Sequence, residues 1–240
     1  MNRKMVRTIT LRTFALVAVL CAARPGRAAD AKNPYPIMAP LDQYLMDRDA
    51  EIAMARSAAP DSVSKDAKVL VLGRHGYETA VEGKNDFVCL VGRMWAAMKE
   101  DPEFWNPKGR APVCLNAPAV RSYLPVFIKR TELALAGRSK AEIEDAVSAA
   151  IEKKELPTPE PNAMSYMLSK QGYINDGVHG PWRPHLMLFL PEIDPKAWRA
   201  NLRDTPLTGE EDTVDHLTMF YIPVSKWSDG TSADSDDHAH

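Results

Sequence analysis

Only three of the 240 residues are cysteine, and none belongs to a Cys-x-x-Cys pair or a Cys/His cluster, which argues against a closed zinc site or a thioredoxin-like redox motif. The chain also lacks a glycine-rich phosphate loop, a His-Glu-x-x-His helix and a Gly-x-Ser-x-Gly elbow. Nucleotide hydrolysis, zinc proteolysis and α/β-hydrolase chemistry therefore have no motif to stand on. No internal repeat is present. No apolar run beyond the first 28 residues approaches the roughly 20 residues that span a bilayer.

Those first 28 residues read as a secretory signal peptide. Arg3, Lys4, Arg7 and Arg12 form a basic start and Thr13 to Ala23 an apolar core. Gly26-Arg27-Ala28 then offers small residues for cleavage after Ala28, with Ala29 as the alternative. Leu20 before Cys21 does not suit a lipoprotein signal, and no paired-arginine export signal occurs. The expected location is periplasmic or secreted. Removing the leader takes away six basic residues of 30 and no acids, leaving 24 against 32 and a net charge of −8. An acidic surface argues against nucleic acid or an anionic membrane as partner, since both are bound through basic patches. The partner expected is an unknown small molecule or protein, without a cofactor and without an integral membrane segment in the mature chain.

About 210 residues remain, and a hydrophobic fraction of 45% is ordinary for one domain with a real core, here 29–227. Residues 228–240 read as a disordered polar tail ending in His238-Ala239-His240, which would chelate metal only adventitiously. Cys89 and Cys114 survive processing, and an even pair in an exported chain implies a disulfide. Its loop of about 25 residues would restrict the unfolded state by about 3 to 4 kcal/mol.

Along the chain, Leu41, Leu45, Ile52 and Ala55 recur at helical spacing until Pro60. Val69 to Leu72 is an unbroken apolar run that suits a strand buried on both faces, and Tyr77 to Glu82 and Phe87 to Val91 continue as strands. The Gly73-Arg74-His75-Gly76 turn between the first two points to a β-meander. The stretch from Asp101 to Pro118, rich in proline and carrying Phe104 and Trp105, reads as an ordered surface loop tied down by Cys114. Val120, Leu124 and Ile128 predict a helix that Pro125 should kink and Gly137 should end. Ser139 and Glu142 form a capping box for a helix with Ile143, Val147, Ala150 and Ile151 on one face. Met164 to Ser169 alternates as a strand, His185 to Leu190 is apolar enough to lie centrally, and Leu217 to Ile222 makes a last strand ended by Pro223. Asp194 and Pro195 start a short helix with Trp198 and Leu202 expected inward. Strands thus fall in two groups around a helical middle. The fold class this predicts is α+β, with a mainly antiparallel sheet of about six strands and helices packed on one face.

Two stretches carry chemistry. Leu70 to Thr79 contains Arg74-His75-Gly76 directly after a buried strand, and there the chain resembles the histidine phosphatase superfamily. That resemblance implies a nucleophilic His75 and a phosphate-holding Arg74, the guanidinium binding oxygens bidentately. It also needs a second histidine and arginine, for which His179, His185 and Arg121 can be nominated. Against it, two strands follow within fifteen residues, leaving no space for the alternating helix of that superfamily. The second stretch, His179-Gly180-Pro181-Trp182-Arg183-Pro184-His185, is a stiff loop before a buried strand. Its rings and guanidinium would project at a sheet end, where ligands often bind, with His75 as a possible second wall. Trp182 plugging the sheet end is the structural alternative.

Met164, Met167, Met187 and Met219 could add thioethers for Cu(I), but strand methionines are usually core filler and the loop supplies too few ligands for a metal centre. The runs VLVLGRHGYETAV, DPEFWNPK, KRTELALAG, MSYMLSKQGY and PHLMLF, spread over Arg48 to Gly230, resemble a group of exported bacterial proteins of unknown function. With no assembled catalytic set, the leading expectation is a non-catalytic binding or interaction domain whose ligand site is His179, Trp182, Arg183 and His185. The alternatives are a hydrolase of histidine phosphatase type and periplasmic copper binding.

Val147→Asp places a carboxylate on the buried face predicted for the capped helix. It should unfold the domain, because an unpaired buried charge costs several kcal/mol against a total stability of about 5 to 15. A thermal melt checks this, and a midpoint equal to that of the parent would place Val147 on the surface.

Overall fold

Apolar residues at every position of Val88 to Gly92 leave that segment no face to turn toward water, and in the computed structural model all five residues are buried. They form β3 of an eight-stranded sheet. The structure describes residues 34–96, 102–175 and 182–233. The expected signal peptide, His179 and His238-Ala239-His240 therefore lie outside the described residues.

Strand β1 (Lys68–Gly73) turns through Arg74 and His75 into β2 (Gly76–Val81), its antiparallel neighbour. Gly76 takes φ +123° in this turn, a value that side chains rarely allow. The chain then crosses back, and β3 (Val88–Gly92) runs parallel to β1 on the opposite side from β2. The expected meander is thereby corrected. Strands β4 (Ala111–Leu115), β5 (Met164–Met167), β6 (His185–Pro191), β7 (Thr208–Asp212) and β8 (Leu217–Pro223) continue by antiparallel pairing, in the order β2-β1-β3-β4-β5-β6-β8-β7.

The class is α+β, but the sheet is mixed and has eight strands rather than about six antiparallel ones. The two unforeseen strands escaped for opposite reasons. β4 begins Ala111-Pro112 inside a proline-rich stretch, and proline ordinarily argues against a central strand. β7, Thr208-Gly209-Glu210-Glu211-Asp212, has no apolar residue, which suits its place at the sheet edge, where charge discourages further pairing.

Helices cover both faces around β3, not one. On one face Cys89, Val91 and Cys114 pack with Ala55, Ala58 and Ala59 at the end of α1 (Arg48–Arg56). On the other, Val88, Leu90, Val113 and Leu115 pack with Ala119 of α3 (Ala117–Ser122) and Phe127 of α4 (Leu124–Leu135). A short helix α2 (Asp61–Ser64) follows Pro60. Helix α1 starts later than its apolar spacing suggests, because the Asp47 side chain accepts from the Asp49 and Ala50 N–H groups at 3.0 Å and Leu41–Gln43 form only a 3-10 turn.

Tyr123 separates α3 from α4, with Pro125 in the first turn of α4 where its missing N–H does no harm. Gly137, at φ +74°, ends α4 by donating to the Ala134 carbonyl. Helix α5 (Lys140–Glu152) has both halves of the Ser139–Glu142 capping box and buries Ile143, Val147, Ala150 and Ile151. Ile143, Val147 and Ile151 share a core cluster with Trp95, Phe104, Trp105 and Val126. The proline-rich stretch is accordingly no surface loop: Phe104 and Trp105 are 2% and 5% exposed.

Trp198 and Leu202, expected inward, are 43% and 46% exposed. Arg199 and Asn201, both in left-handed conformations, redirect the chain after Pro195–Trp198, and the Trp198 ring stacks on Phe220 from outside at 4.8 Å. At the other end, Ser228 to Ala233 are held by hydrogen bonds to Leu168 and Ser225 rather than trailing as a tail. Cys89 and Cys114 are bonded; they face each other across the β3–β4 ladder, so the link joins two strands instead of a strand and a loop. The described residues belong to one compact unit, and among them no helix is long and apolar enough to cross a membrane.

A buried ion pair binds α1 to the sheet. Glu51, fully buried, accepts from Arg93 Nη2 at 3.0 Å and from the Leu72 N–H at 3.1 Å with the same oxygen. Arg93, 1% exposed, also donates to the carbonyls of Tyr44 and Val91. Glu51→Ala strands a buried guanidinium, which should cost about 3 to 5 kcal/mol. Glu51→Gln keeps an acceptor and should cost less. Urea denaturation checks both, and a loss under about 1 kcal/mol for the alanine variant would show that the pair is not needed to anchor α1.

Candidate functional site

Strand directions sort the nominated residues. β1, β3, β5 and β8 end at the edge where β4 and β6 begin, so the Arg74-His75 turn, Arg93, Arg110 and His185 all lie at this edge. The register aligns Val69, Cys89, Cys114, Tyr166 and Leu186 in one row across the sheet. Leu72 and His185 therefore share an edge. Four strand spacings separate β1 from β6, about 19 Å at about 4.8 Å each. No side chain bridges that distance.

His75 is exposed, and Arg74 Nη2 lies 2.6 Å from Asp42 Oδ1 with both side chains well exposed. Arg121 is taken by Glu160, through two hydrogen bonds at 3.1 Å and one at 2.6 Å. The phosphate-handling set implied by the Arg-His-Gly resemblance is thus dispersed: His185 is four strands away, and His179 falls outside the described residues. The methionines do not converge either. Met167, Met187 and Met219 are packed in the core, whereas Met164 has the opposite parity on β5 and points to the other face. Among the described residues no group of three or more His, Cys, Asp or Glu side chains is placed to hold a metal ion.

What does come together lies around β6. The chain after β5, Leu168 to Tyr173, folds over the sheet edge, and Trp182 rests on Gly172. The indole Nε1–H donates to the Ser169 carbonyl at 2.6 Å, and the ring packs partly against the main core. Pro184 is buried, and its carbonyl accepts from Val224 N–H at 3.0 Å. These contacts fix the start of β6. The His185 ring sits 5.4 Å from that of Trp182 and 5.8 Å from that of Tyr221, giving three rings in series. His185 Nδ1 lies 2.8 Å from the Arg183 carbonyl, an acceptor, so Nδ1 carries the proton and Nε2 is left to accept. Burial pushes the His185 pKa below the usual imidazole range, while the Arg183 carbonyl opposes this. The imidazole is neutral at neutral pH. Arg183, between Trp182 and Pro184 in the chain, is exposed.

A second polar set at this edge gave no signal in the sequence. Tyr77 Oη donates to the Val91 carbonyl at 2.7 Å and Tyr44 Oη to that of Trp105 at 2.8 Å. Arg110 Nη1 donates to the Pro107 and Gly109 carbonyls. Burial, and then the charge of Arg93, push Arg110 down to about 10, so it still holds its proton at neutral pH. Arginines placed just past or before apolar strands read as solvated ends. Arg93 is buried against Tyr44 and Glu51 and Arg110 is half-buried under the turn from Pro107 to Gly109, and their bonds to backbone carbonyls make them structural.

A Cβ added at Gly172 would lie 2.0 Å from Trp182 Cε2. Gly172→Ala should therefore dislodge the indole and cost about 1 to 3 kcal/mol by overpacking. The same change made in a Trp182→Ala background should cost far less, and a double-mutant cycle from urea midpoints checks the coupling. Two additive costs would mean that Trp182 does not rest on Gly172. Comparison of the chain with protein-family models, with curated proteins and with solved structures found no match.

Proposed function

We propose that the chain is an exported binding or interaction domain whose ligand docks on the edge formed by Trp182, His185 and Tyr221, with Arg183 at its rim. The observation that carries this reading is the series of three rings at 5.4 and 5.8 Å on a backbone tied by Trp182 and Pro184. Rings held in place lose little entropy when a planar group stacks on them. A neutral imidazole with Nε2 as acceptor can take a hydrogen bond from the ligand, and the Arg183 guanidinium favours an acidic group beside the planar one. The ligand class is accordingly a planar, acidic small molecule or an acidic aromatic segment of a protein.

Export is supported by the leader pattern and by the Cys89–Cys114 bond, since disulfides persist in oxidising compartments. It also accords with the resemblance to exported bacterial proteins. Catalysis of the phosphatase type is less well supported than binding, because an exposed Arg74–Asp42 pair occupies the guanidinium that would hold phosphate.

The test is a titration of the mature protein with a panel of aromatic carboxylates, followed by NMR shifts of the indole and imidazole protons. Trp182→Ala and Tyr221→Ala should each weaken a binder about tenfold, near the 1.4 kcal/mol that a stacked aromatic contact can supply. Unchanged affinity in both folded variants would make the edge purely structural.

A further inference from the structure

We infer that Ser148, His216 and Glu192 form a nucleophile, base and carboxylate set that accepts an acyl or phosphonyl group from activated esters, at the sheet edge opposite the aromatic rings. This does not rest on the binding reading. His216 belongs to the reversal between β7 and β8, and Glu192 directly follows β6, so both lie where β6 ends and β8 begins.

The reversal is held from three sides. Asp212 Oδ1 accepts from the N–H groups of Val214 and Asp215 at 2.9 and 3.0 Å. Val214 is buried with Ile143 and Val147 of α5. Asp215 takes Nε and Nη2 of the buried Arg130 from α4, at 3.2 and 2.5 Å. Between these anchors His216 adopts φ +50°, a conformation uncommon for a residue with a side chain and enriched at functional sites.

That backbone places the imidazole between two partners. His216 Nε2 is 3.0 Å from Ser148 Oγ, and Nδ1 is 3.5 Å from Glu192 Oε1. With the proton on Nδ1 directed at Glu192, Nε2 is free to accept the Ser148 hydroxyl proton, the relation that activates a serine. The His216 side chain is 26% exposed and Ser148 is half-buried, so a small ester can reach them. Asp215, its neighbour on the turn, interacts electrostatically with the ring and is itself paired with Arg130 of α4.

In the step proposed, Ser148 Oγ attacks the carbonyl carbon while its proton passes to His216 Nε2. The bond to the leaving oxygen breaks, and His216 returns that proton to the departing phenol or alcohol; on a fluorophosphonate Oγ attacks phosphorus instead, the P–F bond breaks, fluoride departs, and the imidazolium gives its proton to water. Water, deprotonated by the same imidazole, then releases the acid and restores Ser148. Because Ser148 lies within α5, its own amide is committed to the helix and cannot stabilise an oxyanion. Good leaving groups are therefore required, and the acylated serine should accumulate.

The experiment treats the mature protein with a fluorophosphonate probe and, separately, with p-nitrophenyl acetate, and maps the adduct by peptide mass spectrometry. A single adduct on Ser148 is expected, lost in Ser148→Ala. His216→Asn, chosen because asparagine tolerates the left-handed backbone, should label about 100-fold more slowly, the general-base contribution. Glu192→Ala should slow labelling and Glu192→Gln, which keeps an oxygen for the Nδ1 proton, should restore part of the rate, a rescue that a merely structural contact would not produce. No adduct on the folded parent, an adduct elsewhere, or undiminished labelling in either Ser148→Ala or His216→Asn overturns the inference.

Discussion

A strand that is apolar at every position must be covered on both sides, and β3 imposes that constraint on the rest of the molecule. All five residues from Val88 to Gly92 are buried, so one set of helices on one face could not have satisfied them. The chain supplies α1 from before the sheet for one side and α3 with α4 from its middle for the other. The crossing that makes β3 parallel to β1 places it between β1 and β4, under both covers. The Cys89–Cys114 link and the Glu51–Arg93 pair both act at this strand or its end.

Ion pairs of very different worth coexist in the structure. Arg74–Asp42, with side chains 65% and 73% exposed, is screened by water and contributes little to stability. Glu51–Arg93 and Arg130–Asp215 are buried, and their charges would be costly if separated. Burial alone would lower the Arg130 pKa, but the adjacent Asp215 outweighs it and raises the value, while burial raises that of Asp215 against the pull of Arg130. One pair holds α1 to the end of β3 and the other holds the β7–β8 reversal to α4. The edges of the sheet that carry the two candidate sites are thus each braced by a desolvated arginine.

Position within the site was less legible than composition. Trp182, Arg183 and His185 stand out in the sequence because two prolines and a glycine stiffen their loop, but nothing there marks Tyr221 as the third ring. That depends on β8 pairing with β6 in the register Met187↔Tyr221 and His185↔Pro223. Ser148, His216 and Glu192 are 24 and 44 residues or more apart in the sequence, with no motif among them. A serine inside a helix, a histidine in a polar turn and a glutamate after a strand carry no local signal of meeting.

Local chemistry alone determined the capping box at Ser139 and Glu142, the inward face of α5, the break at Pro125, the hairpin at Gly73 to Gly76 and the pairing of the two cysteines. Each depends on residues within a turn of one another or, for the cysteines, on the expected loss of Cys21 with the leader. Only the tertiary structure decided the parallel return of β3, the burial of Phe104 and Trp105, the edge strand β7 and the exposure of Trp198. Those outcomes turn on which surfaces are left to cover once the sheet has formed. A proline-rich segment was drawn inside because the core cluster of α4 and α5 needed Phe104 and Trp105, and a wholly polar segment became a strand because β8 offered it an unpaired edge.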